Sequence, residues 1–340
     1  MRPILIILWS LLALPALAAT PPKVVDFTVD ARGRQQLVDE ALRALEQNFV
    51  FPDRLAQHRA ELVRRWSAPP FTQLTSAQAL AKAMDGDLRD LFHDEHLGIR
   101  VKRPDRPAPP SGEPTAAELA AMEKELAREH FGFVRAEVLD GNIGYLKIDG
   151  FAPVDLAGTQ RAVADALGFV GDSAGLILDL RDNHGGDGET VALVMSYLLD
   201  TKRLLLREYW RATGKTTEDW TRESVSGRRY GEKRPLWVLT SGETFSGAEE
   251  LAYDVQTLKR GTIVGHTTGG GANHNMFKIV AERFMMSIPI GTVTSPVTKT
   301  NWESVGVKPD IATEVDKALE VALAAARKAV GASEAGARHP

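Results

Sequence analysis

Cysteine is absent from the 340 residues, which removes thiol nucleophiles, thiolate metal sites and any disulfide framework from consideration. An excess of positive charge is missing too. The 41 Lys plus Arg stand against 45 Asp plus Glu, a formal net charge of −4. With no long basic run either, the composition argues against a dedicated nucleic-acid binder, and no nucleic-acid partner is expected. Long apolar runs are scarce: beyond the N-terminus none approaches the ~20 residues a spanning helix needs, so the mature chain is expected to carry no integral membrane segment. What remains, 44% hydrophobic and 25% charged, is ordinary globular composition. At this length one large domain or two average ones are expected.

The N-terminus reads as an address. Arg2 precedes an apolar stretch from Ile4 to Leu14, and Ala16-Leu17-Ala18 has the small-x-small form of a signal-peptidase site. Residues 1–19 are therefore expected to be a cleavable leader, with cleavage near Ala18/Ala19 and a periplasmic or secreted mature protein. An N-terminal membrane anchor is the other reading of the same stretch.

Apolar periodicity organises the rest. Leu37, Val38, Ala41, Leu42 and Leu45 predict a helix over 32–48, a second segment runs over 55–66, and Ser76 opens a third with Leu80, Met84, Leu88 and Leu91 on one face. Residues 20–100 are thus expected to form a helical bundle whose apolar face packs on something else. Residues 101–114 hold five prolines and read as a linker. Thr115 and Glu118 have capping-box spacing and start a further helix, completing a linker-and-helix segment over 101–135. From 136 to 331 short apolar strands (143–148, 176–180, 236–239, 262–264) alternate with helical stretches (155–169, 189–199, 246–258). That alternation predicts an α/β core. A last helix is expected over 316–330, with a frayed tail at 332–340.

Five constellations have chemical potential. Ser246 stands where a buried strand meets a helix, a place whose free N–H groups favour developing negative charge. The same Ser246 with Glu249 also has S-x-x-E spacing, so a simple helix cap is the other reading, and the two are not exclusive. Gly185-Gly186 follows the strand Ile177–Leu180 and can offer backbone N–H groups to an anion, or can serve only as a tight turn. His93 and His96 flank Asp94-Glu95; a general-base histidine, a metal pair and two surface residues are all open. Gly269-Gly270-Gly271 lacks the ending of a P-loop. Glu303, in Asn301–Asp310, either orients a histidine or faces solvent.

Taken in order, these segments resemble the tail-specific, or C-terminal-processing, serine protease family, in the branch with interphotoreceptor retinoid-binding protein and its bacterial relatives. The resemblance rests on Phe49-Val50-Phe51-Pro52, His93-Asp94-Glu95-His96-Leu97, Gly141–Leu146, Leu178–Arg181 with Gly185-Gly186, Pro235–Glu250, Ile263–Gly271 and Asn301–Asp310. It implies a crotonase/ClpP-like core of stacked β-β-α units behind a helical bundle. It also implies Ser246 as nucleophile, with Gly247 and the Gly185-Gly186 turn forming an oxyanion hole. Many members use a Ser-Lys dyad, but here Thr268-Gly269-Gly270-Gly271 occupies the lysine segment and Lys278 lies beyond it. The branch resembling the tricorn core uses serine, histidine and an acid, which implies His96 as base and Glu303 as its partner. No space for a PDZ domain exists between His96 and Gly144, so capture of substrate tails by that route is not expected.

Two functions follow from the resemblance. One is a serine endopeptidase acting on proteins or peptides through an acyl-enzyme, without cofactor or metal. The other is a carrier of hydrophobic ligands, as in the retinoid-binding relatives. A metal-dependent hydrolase built on His93 and His96 is the third alternative.

Overall fold

The computed structural model describes residues 26–103 and 115–337. The expected leader, most of the Pro-rich stretch and the last three residues lie outside these. The N-terminal block is helical, as the periodicity predicts: α1 (Ala31–Asn48), α2 (Pro52–Trp66) and α3 (Ala77–Phe92). Asp30 and Ser76 cap α1 and α3, their side chains accepting N–H groups of Gly33 and Ala79. Pro52 begins α2, where its missing N–H costs nothing.

What the helices pack on was not legible. Their buried Leu37, Leu45, Leu62, Leu80, Met84 and Phe92 form one core with Val280, Phe284, Met286 and Ile288 from far along the chain. Those residues belong to a five-stranded sheet that periodicity did not reveal. Its centre is the eleven-residue β10 (Phe284–Thr294). Around it pair β1 (Gly98–Val101), β9 (His274–Val280) and the hairpin of β5 (Leu204–Trp210) and β6 (Lys215–Trp220). Phe284 and Met286 are thus core residues. After the Pro-rich stretch, α4 (Ala116–Arg128) begins with the expected capping box, Thr115 and Glu118 each accepting the other's N–H.

The second sheet holds the α/β core in the order β11-β8-β7-β4-β3-β2. β3 (Ile143–Ile148), β4 (Gly175–Asp179), β7 (Leu236–Thr240), β8 (Thr262–Gly265) and β11 (Ile311–Ala312) run parallel, and β2 (Phe133–Leu139) closes one edge antiparallel. The crossovers are α5 (Ala157–Phe169), α6 (Gly188–Leu198) and α7 (Gly247–Thr257). Strand residues alternate between layers with period two. Leu146, Ile148, Leu176 and Leu178 join the core that contains α5, α6 and α7 residues, while Tyr145, Ile177 and Leu239 face α8 (Ala318–Ala337) through Ala318, Ala322 and Ala326. α8 runs past the Val330 end that periodicity predicts, through much of the stretch expected to fray.

β4 and β7 are adjacent, parallel and in register, Asp179 opposite Leu239. The turn after β4 and the turn before α7 therefore emerge together at the carboxyl end of the sheet. In open α/β sheets that is where ligand crevices form.

Candidate active site

Asn183 shapes the first turn. Buried, it donates from Nδ2 to Ile148 O (3.0 Å), accepts the Gly185 N–H at Oδ1 (2.7 Å) and takes the Phe245 N–H on its carbonyl (3.0 Å). Gly185 and Gly186 have φ of 101° and 139°, which only glycine adopts freely. A Cβ on Gly185 would lie 2.8 Å from Gly247 N and from Ser246 Cβ, so the glycine turn touches the serine turn directly.

Ser246 has φ 52° and ψ −121°, an uncommon conformation for a residue with a side chain. Glu249 holds it there. One carboxylate oxygen accepts the N–H groups of Ser246 (2.9 Å) and Gly271 (2.8 Å), the other the Gly270 N–H (2.7 Å) and the Thr268 hydroxyl (2.5 Å). The S-x-x-E pair is therefore a cap and a clamp at once, tying the Ser246 turn to the triple-glycine loop. Burial raises the Glu249 carboxyl, and these four donors oppose the rise.

His96, at 7% exposure, reaches Ser246 from the N-terminal block, its Nε2 3.2 Å from Oγ. Its ring lies on Phe245, centroids 4.7 Å apart. Gly271 makes room for it, since a Cβ there would come within 2.7 Å of His96 Cε1. The imidazole Nδ1 is buried without a hydrogen-bond partner, while the carboxylates of Asp94 and Glu303 and a ring nitrogen of His96 lie within 4.8 Å of one another.

Glu303 is delivered by a loop zipped to the triple-glycine segment. Ser304 N–H donates to Gly270 O (2.7 Å), and the buried Trp302 donates from Nε1 to Gly271 O (2.9 Å). The Glu303 carboxylate accepts N–H groups of Ala272 (2.7 Å), Asn273 (3.2 Å) and Glu95 (3.4 Å). Asp94, 1% exposed, accepts the His96 N–H (3.0 Å) and the Asn273 amide (2.9 Å). Burial, then the charge of Asp94, pushes Glu303 up to about 7. Burial raises Asp94 as well, and burial together with the charge of His274 pulls His96 down to about 3.

The structure thus brings together Ser246, His96, Glu303, Gly247, Gly185 and Gly186. His93 is left out: it caps α3 on the exposed side, and the carboxylate grouping around His96 does not include it. Lys278 donates to Gln47 Oε1 (3.2 Å) and is not a partner of Ser246. Sequence reasoning missed Asn183 and Asn273, which look like ordinary loop residues, and gave Asp94 no role of its own. Beside Ser246 a small cavity opens, lined by Gly188, Trp210, Glu250 and His274 among others. From His96 and Phe245 a groove of about 840 Å³ runs past Ile99, Phe277 and Met285 between α3 and the β1–β10–β9 sheet.

A serine and histidine in contact beside two glycine turns, at the carboxyl end of a parallel sheet, define a site suited to acyl transfer. Comparison with known proteins agrees in class. Residues 142–313 match peptidase family S41, and residues 29–133 match the N-terminal domain of that family in eukaryotic IRBP. The chain belongs to peptidase family S41. A carboxy-terminal-processing protease of Bartonella bacilliformis is 24% identical over 178 residues, which cover 52% of this chain and 40% of that relative. The chain therefore matches well under half the length of that protein. A lipoprotein from Streptococcus agalactiae shares the fold at 14% identity and TM-score 0.54, over 89% of this chain and 98% of that one. The photosystem II D1 C-terminal processing protease does so at 17% and 0.50, over 83% and 94%. No helix among the described residues is long and apolar enough to cross a membrane.

Proposed function

We propose that this chain is a serine endopeptidase that cleaves protein or peptide substrates through an acyl-enzyme, using Ser246, His96 and Glu303. The observation that carries the proposal is the 3.2 Å contact between His96 Nε2 and Ser246 Oγ at a serine held at φ 52°. A hydroxyl becomes nucleophilic only when a base can take its proton as the new bond forms. In the proposed sequence His96 takes the Ser246 proton while Oγ adds to the scissile carbonyl. The oxyanion is received by the N–H groups of Gly247 and Gly186. Gly185 contributes shape, since its own N–H is given to Asn183. His96 passes the proton to the departing amine, leaving an ester on Ser246. It then deprotonates the water that releases the second fragment.

Glu303 stabilises the imidazolium formed in both steps. Asp94 beside it keeps the local field negative. Membership of family S41 and the name of the Bartonella relative support a processing role on protein substrates. Between β1 and β2 the described chain holds only α4 and a single helical turn, which supports recognition in the groove beside His96 instead of by an inserted domain. The leader-like residues 1–19 support export to a periplasmic or extracellular location, ahead of a helical block at 20–100 and a catalytic core at 136–331.

The test is intact-mass analysis of the mature protein after treatment with a fluorophosphonate, beside Ser246→Ala and His96→Ala. A single adduct on the wild type, lost in Ser246→Ala and slowed in His96→Ala, is the expected result. No adduct on the wild type at any pH from 6 to 9 would overturn the proposal and leave the carrier of hydrophobic ligands as the better reading.

A further inference from the structure

The peptidase reading leaves the cavity beside Ser246 unused. Its volume, about 40 Å³, has room for about three water molecules, and so for the head of a side chain but not for a large ring. One wall is the flat pair Trp210 and His274, stacked with centroids 4.6 Å apart at 11°. Another is Gly188, where a Cβ would stand 3.4 Å from Glu250 Oε2. The bare glycine is what uncovers this carboxylate to the cavity.

Glu250 follows Ser246 by one turn of α7, and Asp254 follows by one more, so all three share a helix face. Both acids are buried, at 6% and 1% exposure, and Asp254 Oδ2 has no hydrogen-bond partner. The groups facing Glu250 are Asp254 on its own helix, Asp187 ahead of α6, and Glu208 and Asp219 on β5 and β6. His274 on β9 turns its Nε2 to Glu208 (3.2 Å). Burial and then the charges of these four acids hold the Glu250 carboxyl well above its ordinary range. Buried carboxylates in such number are costly unless a cation joins them.

We propose that this cavity receives the side chain on the acyl side of the scissile bond and selects lysine or arginine, whose cation pairs with Glu250. The inference deepens the peptidase reading and rests on Ser246 as the nucleophile. An entering cation converts a repulsive cluster into a charge-assisted pair in a site walled off from bulk water. A neutral side chain gains no such pair. Because the cation favours the ionised form of Glu250, binding releases a proton there and tightens as pH rises.

The experiment titrates the mature protein calorimetrically with Nα-acetyl-arginine amide and, as the neutral counterpart, Nα-acetyl-norleucine amide. The arginine amide should bind at least about 10-fold tighter, the ratio a charge-assisted buried contact supplies. Glu250→Gln should remove that advantage. Gly188→Ala, whose methyl fills space in front of Oε2 without backbone strain, should reduce it independently and covers the case of a Gln variant that fails to fold. Equal binding of the two amides, or no binding of the arginine amide, overturns the inference, and with fluorophosphonate labelling intact the peptidase reading survives. Selective arginine binding with an unreactive Ser246 leaves the pocket standing and removes the peptidase reading.

Discussion

Gly271→Ala tests whether the site depends on the tertiary placement of His96. Gly271 lies against the rings of Phe245 and His96. The added Cβ would meet Phe245 Cζ at 2.3 Å and His96 Cε1 at 2.7 Å, against ordinary contacts of 3.4 Å or more. The phenyl ring must then retreat by about 1 Å and the imidazole by about 0.7 Å. Retreat of His96 takes Nε2 from 3.2 Å beyond hydrogen-bond reach of Ser246 Oγ. A displacement of about 1 Å at a reacting pair costs about 10²-fold in rate. Overpacking costs about 1–3 kcal/mol of stability, a loss of several degrees in melting temperature. The assay is the rate of fluorophosphonate adduct formation by mass spectrometry, with melting curves alongside. Gly242→Ala is the control, since nothing lies within 4 Å of its added Cβ. If Gly271→Ala labels as fast as the wild type while folded, His96 is not the base that activates Ser246, and the proposed mechanism fails.

The carboxyl of Glu303, raised to about 7, must ionise before it can support an imidazolium, so labelling of Ser246 should climb with pH through about 7. In Glu303→Gln that limb should vanish together with most of the rate; an unchanged pH profile would exclude Glu303 from the mechanism. Stability responds in the opposite sense, because a carboxyl easier to protonate when folded than when unfolded loses its contribution as pH rises from the unfolded value near 4.5 through about 7. Ser246→Gly should abolish labelling yet raise stability by about 1 kcal/mol, because glycine adopts φ 52° without strain. A melting temperature at or below that of the wild type would show that the serine conformation stores no strain.

The three N-terminal helices, the capping box at Thr115, four of the five parallel strands and the terminal helix could be read directly, because each depends on residues a few positions apart. The second sheet could not. β10 carries Phe284, Met286 and Ile288 toward the helices, and its other side is also largely buried, so no polar alternation marks it as a strand. The same holds in the site. Glu249 was legible as a cap from its spacing to Ser246, yet its grip on Thr268, Gly270 and Gly271 joins residues about twenty apart. Glu303 by its own surroundings in the chain could orient a histidine or face solvent, and only the resemblance singled it out; the zipping of its loop to the triple-glycine segment is a contact between distant residues.

The sequence by itself determined the periodic elements, the lack of thiol chemistry and, through resemblance, the family and the residues to watch. Tertiary structure decided whether those residues meet. Ser246 and His96 are 150 positions apart and touch because the helical block borrows β9 and β10 for its core, which carries His96 over the carboxyl end of the parallel sheet. The burial that shifts His96 and Glu303 in opposite directions, and the cavity that bares Glu250, likewise arise only when distant segments exclude water together. Local pattern is set by neighbours in the chain, whereas electrostatics and contact are set by neighbours in space.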